Sequence, residues 1–398
     1  MGHMQKIHCT IVRGGSSKGI FFERDDIPAP GPELDRLVLA VFGSPDPRQI
    51  DGLGGADKLT SKTAVMGPPT REDCDIDYLF GQVNINLPRI DWASNCGNIS
   101  AGAAAYAVYK GYVKSAEDKV KVSIHQVNTG RRLLATVPLT NGMLATEGDF
   151  AIGGVPGVGA RIDLDFSDFS GCILNRGLLP TGHPVDRYKV PDIGDLDVSV
   201  TDMANLCLFV RAADVGLDHE KSLAELQADP EVVKRLEAIR AVVSAELDFI
   251  KGENAAEDLQ VSMNPLLFVI GKPRTYKAIN GLTLKGSETD LFARSIARSA
   301  FSKTYPGSGS IATGVICGIP GTIPAEMLPG GVNPFGEPYA IRVGHPSGTL
   351  KVEACVQKDQ KQGFQVISTN VGRTARILME GDAYVRRTVE TCKSDHRV

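Results

Sequence analysis

Two stretches of this chain repeat one unusual pattern, and that pattern constrains the fold more than any other feature. Asn95-Cys96-Gly97-Asn98-Ile99-Ser100-Ala101-Gly102 opens into an Ala-rich, almost wholly apolar run that continues to Lys110. Gly307-Ser308-Gly309-Ser310-Ile311-Ala312-Thr313-Gly314 opens into a shorter apolar run ending at Cys317. A helix that is apolar on every side has no face to show to water and must be wrapped by other elements. The spacing therefore predicts two central helices, over 99–110 and 311–317. Their small-residue starts predict two related halves, each presenting a helix N-terminus.

The wrapping material reads as strands. Ile7–Val12, Asp77–Leu87, Lys119–His125, Leu133–Pro138, Arg161–Phe166, Leu206–Val210, Leu266–Ile270, Tyr339–Val343, Thr349–Val356 and Phe364–Ser368 are rich in β-formers. Many alternate apolar and polar residues, the period of a half-exposed strand. Further helices are expected over 35–42, over 222–249 with a break near Asp229-Pro230, and over 288–300. Strands and helices do not alternate regularly, which argues against a doubly wound parallel sheet. Proline at His183-Pro184 and Val190-Pro191-Asp192 predicts a boundary near 183–192, with halves of similar length.

Composition removes several functions. The 398 residues carry 43 Lys+Arg against 47 Asp+Glu, a formal charge of −4. That balance lacks the basic footprint of a nucleic-acid binder. No apolar run reaches the ~20 residues that span a bilayer, so no membrane partner is expected. No charged n-region precedes an apolar h-region, which favours a cytoplasmic protein over a secreted one. Met1-Gly2-His3 reads as an expression scar before Met4. The cysteines at 9, 74, 96, 172, 207, 317, 355 and 392 form no CxxC pair and no zinc spacing, so reduced thiols and no metal are expected.

Several residues invite chemistry, each with a plainer alternative. Cys96 falls at or just before a helix start, where open amides and the helix dipole favour a thiolate; otherwise it is a buried structural thiol. Asn95 and Asn98 suit capping. Lys62 runs directly into Thr63-Ala64-Val65-Met66. Desolvation beside such a run would lower its pKa into a usable range; otherwise it is a solvated surface lysine. Arg13-Gly14-Gly15-Ser16-Ser17-Lys18-Gly19 suits a carboxylate or phosphate, or is a polar hairpin turn. Gly307, Gly309 and Gly314 are spaced GxGxxxxG, which is not a dinucleotide fingerprint; a carboxylate cradle of Gly307, Ser308, Gly309 and Ser310 fits better. His345-Pro346-Ser347-Gly348 is a hairpin whose histidine faces either a site or solvent.

Taken together, Arg13-Gly14-Gly15-Ser16-Ser17-Lys18-Gly19, Phe42-Gly43-Ser44-Pro45-Asp46, Gln49-Ile50-Asp51-Gly52, Thr60-Ser61-Lys62, Asp77-Tyr78-Leu79-Phe80, Asn95-Cys96-Gly97-Asn98 and Gly344-His345-Pro346-Ser347-Gly348-Thr349-Leu350 resemble the methylaconitate cis–trans isomerase family. The likeness runs from Ile7 to about Glu380 and looks closest to the methylitaconate Δ-isomerase branch. It implies a diaminopimelate-epimerase-like α/β (α+β) fold: two pseudo-symmetric lobes, residues 1–185 and 186–398, each a curved mixed sheet around a central helix, with the end of the chain returning to the first lobe. It implies a cofactor-independent isomerase of a small unsaturated di- or tricarboxylate, with Lys62 and Cys96 as acid/base groups. Arg13, Ser16, Ser17, Asn95, Gly97, Asn98, Asn205, Gly307, Ser308, Gly309, Ser310 and His345 are then expected around the substrate. The epimerase relatives carry a cysteine at both helix starts. Here the second start has only Gly and Ser, which counts against an amino-acid epimerase. An oxalomesaconate-type keto–enol tautomerase and a non-catalytic carboxylate-binding protein stay open as alternatives, and a homodimer or higher homo-oligomer is compatible with all of them.

Overall fold

The computed structural model describes residues 4–217, 219–359 and 363–386. Residues 1–3, Cys392 and the far C-terminal end lie outside them. Helices run over Pro32–Phe42 (α1), Gly97–Tyr109 (α2), Leu223–Ala228 (α3), Pro230–Glu246 (α4), Ala255–Val261 (α5), Gly307–Cys317 (α6) and Ile323–Glu326 (α7). The apolar runs become α2 and α6 as their sequences predict. α2 is buried from Gly97 to Val108, and α6 is buried along its whole length.

Each central helix is wrapped by its own set of strands. Around α2 lie Met4–Gly14, Ser17–Glu23, Lys62–Gly67, Ile76–Val83, Lys119–Gln126, Arg131–Thr140 and Ala375–Arg386. Around α6 lie Gly194–Met203, Asn205–Arg211, Tyr339–His345, Gly348–Asp359 and Gly363–Arg373. Both sets are mixed. Ser17–Glu23 pairs antiparallel with Met4–Gly14 and parallel with Lys62–Gly67. Asn205–Arg211 pairs antiparallel with Gly194–Met203 and parallel with Leu266–Gly271. This is the diaminopimelate-epimerase-like fold, a curved mixed sheet around a central helix, built twice.

Small residues let the sheet close tightly on α2. A Cβ on Gly14 would lie 2.3 Å from the Asn98 carbonyl oxygen and 2.8 Å from the Gly102 amide, so strand and helix touch backbone to backbone. The outer faces are covered in turn. Leu34, Val38 and Phe42 of α1 bury against the first sheet, and Leu236, Ile239 and Val243 of α4 against the second. Each such side chain contributes about 1.5–3 kcal/mol on burial.

Two links tie the sets together. Gly363–Arg373 pairs with Gly348–Asp359 on one side and with Ile162–Asp165 on the other. Ala375–Arg386 then runs antiparallel along Met4–Gly14, from Met4 opposite Arg386 to Gly14 opposite Ala375. The chain thus ends beside its own beginning, and Arg373 sits where it crosses from one set to the other.

One expected helix is a strand. Residues 288–300 contain a short 3-10 turn, Gly286–Glu288, and then the strand Leu291–Ala297. That strand lies between Leu266–Gly271 and Tyr339–His345 and is buried throughout. Burial on both faces erases the alternation that marks a half-exposed strand, so the buried Arg294 passes for the polar face of a helix. The break at Asp229-Pro230 is found as expected: Asp229 accepts from the Val232 amide and caps α4. Among the described residues, seven cysteines are buried free thiols, and no helix is long and apolar enough to cross a membrane.

Candidate active site

The N-termini of α2 and α6 meet head to head. A Cβ on Gly97 would lie 2.9 Å from the Gly307 carbonyl carbon and 3.0 Å from the Ser308 amide. A Cβ on Gly307 would lie 2.9 Å from the Asn98 amide. Only glycine permits this approach. First-turn amides have no acceptor within their own helix, so two sets of N–H dipoles converge on one place. No acidic residue occupies the first turn of either helix.

A small cavity of about 40 Å³ opens at that junction. Lys62, Cys96, Asn95, Asn98, Ser17, Asn205, Gly307 and Ser308 all line it, together with Lys58, Gln82 and Thr304. Cys96 is the N-cap of α2, with φ −135° and ψ 100°. Its amide donates to Asn95 Oδ1 at 2.7 Å, which fixes the turn. The second helix start has Pro306 as its N-cap and carries no thiol.

Lys62 begins its strand as a buried residue, 6% exposed. Its ammonium nitrogen donates to Gln82 Oε1 at 2.5 Å and lies 5.3 Å from the centre of the Phe80 ring. Gln82 cannot turn its amide round, because its Nε2 donates to the carbonyls of Ser61 and Lys58 at 2.9 and 3.2 Å. Burial lowers the Lys62 pKa below the ordinary lysine value; the facing Cys96 opposes this, and the Arg298 charge adds to it. Its partner is a neutral amide rather than a carboxylate, so nothing at Gln82 demands the charged form. Lys58 donates to the Ala300 carbonyl at 2.7 Å. Burial, with the Arg298 charge, draws its pKa down to about 7.

Asparagines join the halves. Asn205 Nδ2 donates to the Asn95 carbonyl at 2.9 Å and to Ser308 Oγ at 2.6 Å, and Asn205 Oδ1 accepts from the Asn95 amide at 3.1 Å. One side chain thereby fixes the approach to Cys96 against the start of α6. Asn95 Nδ2 is buried and has no hydrogen-bond partner among the described residues. Asn98 Nδ2 donates to Ser16 Oγ at 3.1 Å and Ser17 Oγ at 3.4 Å.

Other expected residues lie elsewhere. Arg13 Nη1 donates to the carbonyls of Gly15 and Thr374 at 3.0 and 2.9 Å and to Thr374 Oγ1 at 3.0 Å, and the residue lines a separate cavity. Its guanidinium holds the hairpin to the crossing strand rather than facing Cys96. Gly309 packs on Phe268, whose Cζ would lie 2.2 Å from a Cβ there. Ser310 donates to the Gly307 carbonyl at 2.6 Å, inside the helix turn. Ser16 and His345 line a neighbouring cavity that shares Asn98. Gln82, Lys58 and Arg373 were not singled out in the sequence. Lys58 lies between the Gln49–Gly52 and Thr60–Lys62 motifs and belongs to neither, and Arg373 has no local motif.

The chain is 38% identical over 388 residues to the 3-methylitaconate isomerase of Eubacterium barkeri, covering 97% of this chain and 99% of that one. It is 36% identical to the 2-methyl-aconitate isomerase of Shewanella oneidensis, covering 94% and 96% of the two chains. A crystal structure of methylitaconate-delta-isomerase matches with a TM-score of 0.76 at 38% identity, over 96% of each chain. The PrpF protein family model matches residues 4–386, and the chain belongs to that family.

Proposed function

We propose that this protein is a cofactor-independent isomerase that moves or rotates a C=C bond in a small unsaturated di- or tricarboxylate of the methylitaconate, aconitate or methylaconitate type. The observation that carries the reading is the meeting of the Lys62 amine and the Cys96 thiol on one cavity between two facing helix N-termini. The names of the family relatives agree with it.

The chemistry follows from the parts. The neutral Lys62 amine takes a proton from the allylic carbon, and the C–H electron pair spreads through the double bond onto a carboxylate as a dienolate. The charge develops where the amides of Gly97, Asn98 and Ser308 and the unpartnered Asn95 Nδ2 converge. Fixed dipoles aimed at developing charge are commonly the largest single contribution to catalysis. Cys96 returns a proton to another carbon, shifting the double bond. Return to the original carbon after rotation exchanges cis and trans. No electrons leave the substrate, and a proton passing between Lys62 and Cys96 restores both groups.

The test is proton exchange in D2O, followed by NMR, with methylitaconate, cis- and trans-aconitate, methylaconitate, an oxalomesaconate and a set of amino acids. Deuterium at allylic carbons of the unsaturated acids is expected. Exchange confined to amino-acid α-carbons, or binding with no exchange at all, would overturn the reading.

A further inference from the structure

A second cavity of about 40 Å³ lies beside the first, with Ser16, Asn98, Tyr305, His345 and Arg373 in its wall. Arg373 is 3% exposed. Its Nε donates to Asn98 Oδ1 at 2.9 Å, its Nη1 to the Gly372 carbonyl at 2.8 Å and its Nη2 to Ser310 Oγ at 3.4 Å. A guanidinium has five N–H donors, so these bonds to neutral oxygens leave two. Among the described residues no carboxylate pairs with it, and burial pulls its pKa down to about 10, with Cys96 acting in the opposite direction. A buried charge without a counter-ion costs several kcal/mol, and α2 and α6 add the positive ends of two dipoles nearby. The site is short of an anion.

The other walls suit the same ligand. His345 is 1% exposed, and its Nδ1 accepts from the Ser347 amide at 3.2 Å. Burial and the charges of Arg373 and Arg294 pull its pKa down to about 3, so the ring is neutral and its hydrogen sits on Nε2. Tyr305 is occupied with Thr313 at 2.8 Å and adds no acid. Asn98 belongs to both cavities: its Oδ1 orients Arg373 while its Nδ2 reaches Ser16 and Ser17.

We propose that this second cavity is a carboxylate subsite, in which Arg373 is the counter-ion for the substrate carboxylate remote from the reacting carbon. Asn98 is the shared wall that sets the distance between that carboxylate and the Lys62–Cys96 pair. The assignment rests on the isomerase reading for the identity of the ligand but not for the binding it asserts.

The test uses succinate, a saturated acid that cannot react, and its uncharged dimethyl ester, with binding measured by calorimetry. Arg373→Met is expected to weaken succinate about 10²-fold, in line with loss of a buried charge pair, and to leave the diester, which carries no carboxylate, within about threefold. An equal loss for both ligands, or no loss for succinate, would overturn the subsite. Should Arg373→Met not fold, a structure of the unaltered protein with succinate decides: one carboxylate against the Arg373 guanidinium supports the proposal, and both carboxylates elsewhere overturn it. Absence of isomerisation with Arg373-dependent succinate binding would remove the isomerase reading alone. Isomerisation with succinate and its diester bound equally would remove the subsite alone.

Discussion

Replacing Gly97 by Ala adds one methyl group at the point where the two helices meet. On an isolated helix that change is neutral or stabilising, by up to about 1 kcal/mol. Here the new Cβ would stand 2.9 Å from the Gly307 carbonyl carbon and 3.0 Å from the Ser308 amide, where ordinary contact begins at 3.4 Å. Both neighbours are backbone, so no side chain can swing aside, and one helix start must move by about half an ångström or more. Overpacking of this kind costs about 1–3 kcal/mol, which outweighs the propensity gain. A displacement of about 1 Å in a catalytic arrangement costs about 10²-fold in rate, so kcat is expected to fall about 10- to 100-fold, with a lowered unfolding midpoint. Gly307→Ala should behave alike, since its Cβ would meet the Asn98 amide at 2.9 Å. Thermal unfolding and steady-state kinetics on the two variants check this. An unchanged kcat with a raised midpoint in Gly97→Ala would refute the head-to-head packing.

Asn205→Ala removes three hydrogen bonds at once and leaves the Asn95 amide and carbonyl without that partner. It should cost about 1–3 kcal/mol in denaturant unfolding, with a larger loss in kcat than in KM. Lys58 has a folded pKa of about 7, below the ordinary lysine value. The unfolded state therefore binds more protons between that pH and 10.5, so stability rises with pH across this window. Lys58→Met should raise the unfolding midpoint at pH 6–7 and flatten its rise up to about pH 10; an unaltered slope would remove Lys58 as its source.

The central helices were legible because a helix that is apolar all round leaves one option, burial, and the small residues at 95–98 and 307–310 mark where backbones meet. Local reasons left Lys62 and Cys96 open, one beside an apolar run and one at a helix start, and the family resemblance was what paired them. Arg13 shows the limit of such reasoning: a cation among Gly and Ser reads the same whether it faces a ligand or, as here, the Thr374 carbonyl. Arg373 was hidden for the opposite reason. It lies at the end of a strand with no motif around it, and only the crossing between the two sheet sets brings it to Asn98. Gln82 matters through its pairing opposite Lys62 in an antiparallel register, which sequence spacing does not reveal.

The most direct measurement of the central claim is the initial rate of deuterium entry into the substrate's allylic position, as a function of pD, for the unaltered protein and Lys62→Met. With the neutral amine as the proposed base, exchange should rise with pD and level off below the ordinary lysine pKa of 10.5. The variant should lose about 10²-fold or more while still binding succinate. Exchange in Lys62→Met at the unaltered rate, with the same dependence on pD, would contradict the account.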